Sequence, residues 1–218
     1  MNENINQNKS SLVNFSVEFV KEFATFLHQN GALKFGDYTL SSGKNSSYYV
    51  DLRLVSSFPH QFRKMVKKLQ DLISEEIGFD NFDCLASVPT GGLVIASALA
   101  METVKPLIYV RTKPKEHGTT KSIEGVIRKG MKVLMIDDVA TTGHSVIDSI
   151  KQLRDAGIVV NDVCVILNRL EGAEKALKLE GIKMHQLTDI MQITKSLHEA
   201  NLVNNQILEK IQTQINKA

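Results

Sequence analysis

Along most of the chain apolar positions recur with one of two periods, and the way those periods alternate predicts the architecture. From Val13 to Gln29, Phe15, Phe19, Phe23, Phe26 and Leu27 fall at helical spacing, so an amphipathic helix is predicted, ending near Asn30-Gly31. A second is predicted from Pro59 to about Ile77, with Phe62, Met65, Val66, Leu69 and Ile73 on its apolar face. Between them, residues 32–55 alternate short β-like pieces with turns at Gly36-Asp37 and Ser42-Gly43. From Cys84 onward one unit repeats: an apolar run without polar alternation, a polar or glycine-rich stretch, then usually helical spacing. The runs are Cys84–Val88, Leu107–Val110, Val133–Ile136 and Val163–Leu167, each suited to a strand buried on both faces. Their alternation with helices, including Leu93 to Met101 and a pattern resuming at Val146, predicts an α/β fold with an open, mostly parallel sheet flanked by helices. A last amphipathic helix places Ile207, Leu208, Ile211 and Ile215 on one face, for packing on the domain or on a partner subunit.

In such sheets ligands bind outside the carboxyl ends of the strands, so Thr90, Gly91, Arg111, Asp137, Asp138 and Arg169 are expected to converge there. The densest chemistry lies in VLMIDDVATTGHS, residues 133–145. Asp137 and Asp138 are placed at the end of a buried strand. The loop Thr141-Thr142-Gly143-His144-Ser145 then delivers backbone N–H groups and hydroxyls to a helix N-terminus, where an anion is favoured. Two carboxylates beside a phosphate cradle fit a ribose 5-phosphate, the acids accepting hydrogen bonds from its hydroxyls. A Walker B strand is a poorer reading because no G-x-x-x-x-G-K-[ST] occurs, and Gly91-Gly92 is only a weak echo of a dinucleotide fingerprint. A helix cap alone would need one acid, not two. Residues 112–130, TKPKEHGTTKSIEGVIRKG, are polar, basic and too long for an ordinary connection, which reads as a mobile loop over a site.

Composition narrows the partners. The 218 residues suit one α/β domain with an appendage, or at most a pair of small domains, and the expected division is a disordered polar tail over 1–12 and a single domain over 13–218. With 26 basic and 24 acidic side chains the formal charge is +2, so there is no global electrostatic case for nucleic acid or an acidic membrane. Cys84 and Cys164 both fall in apolar runs and read as buried reduced thiols. The asparagine-rich start lacks the features of a signal peptide and no run is long enough to span a membrane, so a cytoplasmic protein is expected.

The stretch 133–145 resembles the phosphoribosyl-pyrophosphate (PRPP) motif of type I phosphoribosyltransferases. The resemblance becomes closer in LKFGDYTLSSGKNSSYYVDLR, Leu33 to Arg53, similar to the N-terminal signature of orotate phosphoribosyltransferases, and in VRTKPKEHG, Val110 to Gly118, similar to their mobile catalytic loop. With Asn168-Arg169, the match covers roughly residues 13 to 195. It implies the type I phosphoribosyltransferase fold, with a small N-terminal hood at about 30–55 and a mobile loop at about 112–130. The implied reaction is the Mg²⁺-dependent joining of orotate to PRPP, giving orotidine 5′-monophosphate and pyrophosphate in pyrimidine (UMP) biosynthesis. Position by position, it implies that Asp137 and Asp138 bind the ribose hydroxyls, and that Val139, Ala140, Thr141, Thr142, Gly143, His144 and Ser145 bind the 5′-phosphate. Lys34, Arg111, Lys115 and His117 would hold the pyrophosphate, the last two on a loop donated to the neighbouring subunit of a homodimer. Lys115, His117, Asp137 and Asp138 form the implied catalytic set. Arg169 would pair with the orotate carboxylate, Thr141 would add a contact to the base, and Mg²⁺ would be carried mainly by PRPP.

Two positions depart from the family's bacterial pattern: Thr112 stands where a lysine follows the loop arginine, and Thr90-Gly91 where a Tyr-Lys pair follows a strand. Lys113 could replace the first cation, and backbone N–H groups of Gly91 and Gly92 the second. Departure of pyrophosphate leaves an oxocarbenium-like ribose, so no protein nucleophile is required. His28, His60, His185 and His198 have no acid-base constellation in sequence and read as surface or packing residues. The rival readings are a purine-salvage transferase, for which Arg169 would meet no carboxylate, and a non-catalytic PRPP-sensing regulator that binds nucleic acid, for which a basic helix-turn-helix segment is missing.

Overall fold

The computed structural model describes residues 17–39, 43–111 and 122–217, which form two compact units. The larger unit, Leu52–Asp189, is built on a six-stranded sheet. Its strands are β3 (Cys84–Ser87), β4 (Leu107–Val110), β5 (Ile123–Glu124), β6 (Lys132–Ala140), β7 (Val159–Asn168) and β8 (Lys183–Asp189), in the spatial order β5-β4-β3-β6-β7-β8. All neighbouring pairs are parallel except β4 with β5. The order reverses between β3 and β6, which makes a topological switch point at the centre of the carboxyl edge.

Strand β6 shows why the apolar run folds as it does. Val133, Leu134, Met135 and Ile136 are all buried. Alternation sends Val133 and Met135 into the core with Val146, Ile150 and Leu153 of α4 (His144–Asp155), and Leu134 and Ile136 to the opposite face. Burying each such side chain contributes about 1.5–3 kcal/mol, which outweighs the modest helix or loop preference of any single residue. Helix α2 (Pro59–Glu76) buries Met65, Val66, Leu69 and Ile73 of the predicted stripe, leaves Phe62 half-buried, and starts with Pro59 in its first turn. Helix α3 (Gly91–Thr103) begins two residues earlier than the spacing indicates, so Gly91 and Gly92 form its first turn.

The strands are also longer than their apolar cores. Contrary to the sequence reading, Asp137 and Asp138 lie within β6, whose pairing with β7 continues to Ala140 opposite Asn168. Ile123 and Glu124, read as part of the polar loop, pair antiparallel with Val110 and Tyr109. Arg111 N–H donates to Ser122 O at 2.8 Å, so the two described ends of the 112–121 segment are neighbours in one hairpin base. Cys84 and Cys164 are free and buried, and burial pushes the Cys84 thiol up to about 11 and raises that of Cys164 further.

The smaller unit joins residues up to Asp51 with Ile190–Lys217. Helix α1 spans 17–29 and buries Phe19, Phe23, Ala24 and Leu27, while Phe15 lies outside the described residues. Strands β1 (Leu33–Thr39) and β2 (Asn45–Val50) pair antiparallel, and α6 (Ile190–Glu199) and α7 (Asn205–Asn216) complete it. Asn204 caps α7 by accepting from Ile207 N–H at 3.1 Å. Gln214 then ties α7 to β2, its Oε1 accepting from Ser47 N–H at 2.7 Å. Of the apolar face predicted for this helix, Ile211 is fully buried.

Candidate active site

Strands β4, β3, β6 and β7 are neighbours and mutually parallel, so the residues that follow them share one edge, as the sequence pattern required. At its centre, beside the switch point, Asp137 and Asp138 face the first turn of α3. A Cβ on Gly92 would come within 2.8 Å of Asp137 Oδ1, and one on Gly91 would collide with the Asp138 carboxylate. Glycine is therefore required at both positions for the acids to approach the helix N-terminus, whose unpaired N–H groups favour negative charge. The backbone supports the pair as well: Asp138 N–H donates to Asp137 Oδ1 and Val139 N–H to Asp138 Oδ1, each at 3.0 Å. Ser87 Oγ donates to Ile136 O at 2.8 Å and locks β3 to β6 just below the acids. Burial foremost, and then the charge of Asp138, push the Asp137 carboxyl well above the usual carboxylate range.

Beyond the acids, Val139 and Ala140 finish β6, and Thr141 and Thr142 are half-buried in the connecting loop. Gly143 has φ +83°, a left-handed conformation that strains other residues, and it turns the chain into α4. His144 and Ser145, read as loop, stand exposed in the first helical turn, where N–H groups lack intrahelical acceptors. An anion held here would lie next to the acids along the same strand-helix connection.

Arg169 follows β7, its N–H donating to Ala140 O at 2.9 Å, which joins it to the end of β6. Its guanidinium is buried and paired with Glu171: Glu171 Oε1 accepts from Nε at 3.0 Å and lies 2.9 Å from Nη2. Arg111, at the end of β4, donates from Nη1 to Glu124 Oε1 at 2.9 Å, with about a third of each side chain exposed. Lys34 lies on β1 in the smaller unit, exposed and opposite Tyr49. Lys113, Lys115 and His117 lie outside the described residues. Thr90 precedes α3, and the Pro89–Thr90 peptide is cis.

The sequence reading missed Glu171 and Glu124, the partners of the two arginines, and the two acids that hold His185, which it read as a surface or packing residue. His185 is buried on β8, with Nδ1 2.6 Å from Glu76 Oε2 and Nε2 2.9 Å from Asp162 Oδ1. It is a packing residue, but one clamped between two acids that tie α2 to β7 and β8. Those acids are 109 and 23 residues away along the chain, so no local spacing could have announced them. Glu171, two residues from Arg169 in a turn, was the one partner that proximity in sequence could have found.

The model of the phosphoribosyl transferase domain matches residues 60–193. An orotate phosphoribosyltransferase of Cenarchaeum symbiosum is 52% identical over 194 residues, covering 89% of this chain and 97% of the relative. One of Pyrococcus horikoshii is 41% identical over 175 residues, covering 80% and 93%. Among solved structures, the orotate phosphoribosyltransferase of Aeropyrum pernix superposes with a TM-score of 0.72 at 34% identity, covering 83% of this chain and 99% of its own.

Proposed function

Because the chain belongs to the orotate phosphoribosyltransferase family, we propose that it transfers the 5-phosphoribosyl group from PRPP to orotate, in the pyrimidine (UMP) route and in the cytoplasm. A ring nitrogen of orotate gives up its proton and forms the new bond to C1′ as the bond from C1′ to pyrophosphate breaks; pyrophosphate leaves with the electron pair and can take up that proton, giving orotidine 5′-monophosphate. The observation that carries this reading is the sharing of one sheet edge by an acid pair, an anion-favouring helix start and a buried guanidinium. Asp137 and Asp138 take the ribose hydroxyls. Residues Val139 to Ser145 take the 5′-phosphate, and Arg169, with Thr141, takes the orotate carboxylate and ring. Lys34, Arg111, Lys115 and His117 take the pyrophosphate, and the acids help to stabilise the positive charge that develops on the ribose.

Mg²⁺ fits these donors. Asp137 and Asp138 offer hard carboxylate oxygens side by side at the sheet edge, whereas no cluster of three or more candidate ligands for a bare metal exists among the described residues. The ion would therefore be carried mainly on PRPP oxygens, with the two acids as the protein's contribution, and when bound it neutralises charge on the leaving pyrophosphate.

Consumption of orotate with PRPP and Mg²⁺, run beside uracil, adenine and hypoxanthine, tests the reaction; turnover of a purine in place of orotate overturns it. We also propose a homodimer in which Lys115 and His117 serve the neighbouring site. Mixing Lys115→Ala with Asp137→Asn subunits should then restore about a quarter of wild-type activity, because two-fold symmetry gives each mixed dimer one intact site. No rescue after verified subunit exchange refutes the shared site.

A further inference from the structure

We propose that Glu171 is a positioning residue that fixes the guanidinium of Arg169 in the plane from which it meets the carboxylate of the base. The inference rests on the assignment of Arg169 to orotate. One oxygen of Glu171 bridges two donors on the same side edge of the planar group, Nε at 3.0 Å and Nη2 at 2.9 Å. A single contact would leave the group able to pivot; two on one edge set both its location and its rotation. The side chains are only 4% and 5% exposed, so water does not loosen the pair.

The turn that brings Glu171 back to Arg169 is itself braced. Leu170 has φ +59°, unusual for a leucine, and its N–H donates to Asn168 Oδ1 at 2.8 Å. Asn168 Nδ2 in turn donates to Gln186 Oε1 at 2.6 Å, and Gln186 Nε2 to Asp189 Oδ2 at 3.2 Å. The ends of β7 and β8 therefore hold the turn, the turn holds Glu171, and Glu171 holds the arginine. An arginine ordered in advance spares the incoming base the loss of side-chain freedom on binding.

The test compares Glu171→Gln and Glu171→Ala in the full-length protein with Arg169→Ala and the Glu171→Ala/Arg169→Ala double variant. The KM for orotate should rise about tenfold or more in Glu171→Ala and less in Glu171→Gln, which keeps an acceptor of the same shape. The KM for PRPP should stay within about twofold and serves as the internal control for an intact site. In the Arg169→Ala background, removing Glu171 should change the orotate KM no further, a non-additivity that a purely structural role would not produce. The proposal falls if either Glu171 variant binds orotate as well as or better than wild type, if the effects add, or if Glu171→Gln does not fold. Should Arg169→Ala itself leave the orotate KM unchanged, the assignment of Arg169 is what fails; a large effect there with none at Glu171 overturns the positioning role alone.

Discussion

Two adjacent strands, β6 and β7, end at the same edge in opposite electrostatic conditions. At the end of β6 two carboxylates stand side by side, and burial with mutual repulsion raises the Asp137 carboxyl. At the end of β7 a buried arginine already has its counter-charge in Glu171. The difference separates two ways of preparing a site. Where charge is left uncompensated, the ligand must bring the opposite charge, and binding relieves a cost the fold carries. Where charge is compensated internally, the protein contributes orientation instead, because a buried, hydrogen-bonded pair is costly to break.

The strongest way to break this contrast is to remove the compensation. Glu171→Ala should destabilise the folded chain by about 3–5 kcal/mol, since it leaves a buried guanidinium without that partner. At about 2–4 °C per kcal/mol, the melting temperature should fall by roughly 6–20 °C. A loss below about 1 kcal/mol in denaturant unfolding would place the pair with surface ion pairs and remove the contrast.

A smaller effect of opposite sign is expected at β6. Between the ordinary carboxylate range near about 3.9 and the raised value of Asp137, the folded state binds more protons than the unfolded one, so this group makes stability fall as pH rises. Asp137→Asn removes that loss and should melt higher than wild type at pH 7.5, with the gain shrinking towards pH 4, while losing most activity. Melting curves at the two pH values check it; an unchanged or lower melting temperature at pH 7.5 contradicts the uncompensated reading.

The smallest effect sharpens the comparison with a third pair. Arg111 and Glu124 have the same chemistry as Arg169 and Glu171 but lie about a third exposed. Glu124→Gln should cost less than about 1 kcal/mol, and high salt should abolish even that. Unfolding midpoints at low and high salt measure it, and a cost comparable to that of Glu171→Ala would show that burial is not what distinguishes the two pairs.

The sheet was legible in the sequence because β3 and the cores of β6 and β7 are buried on both faces, and β4 is buried on one face and half-buried on the other, so all four carry uninterrupted apolar runs. Their ends were not. Asp137 and Asp138 read as a stop, yet the β6–β7 ladder continues past them because backbone pairing tolerates polar side chains at an open edge. Strand β8, KMHQLTD, carries half-polar edge-strand chemistry and drew no prediction, nor did α5 (Ala173–Leu179) before it. At the site, the acid pair and the hydroxyl loop could be read locally, since each lies in one continuous stretch. Glu124 could not, because only the antiparallel pairing of β5 with β4 brings it to Arg111. The seating of Asp137 and Asp138 on Gly92 and Gly91 likewise exists only once β3 and β6 are neighbours.

That seating constrains how the chain can be inherited. Position 91 has no room for even a methyl group while Asp138 keeps its place, and position 92 is almost as tight against Asp137. The glycines and the acids are therefore a single heritable object distributed over two distant stretches of the gene. A lineage can exchange the acids for smaller residues first and then let the glycines drift, but the reverse order passes through a chain whose helix and strand no longer fit. Descendants that abandon the reaction would be expected to lose the carboxylates before the glycines, leaving Gly91-Gly92 as the later trace of an ancestral site.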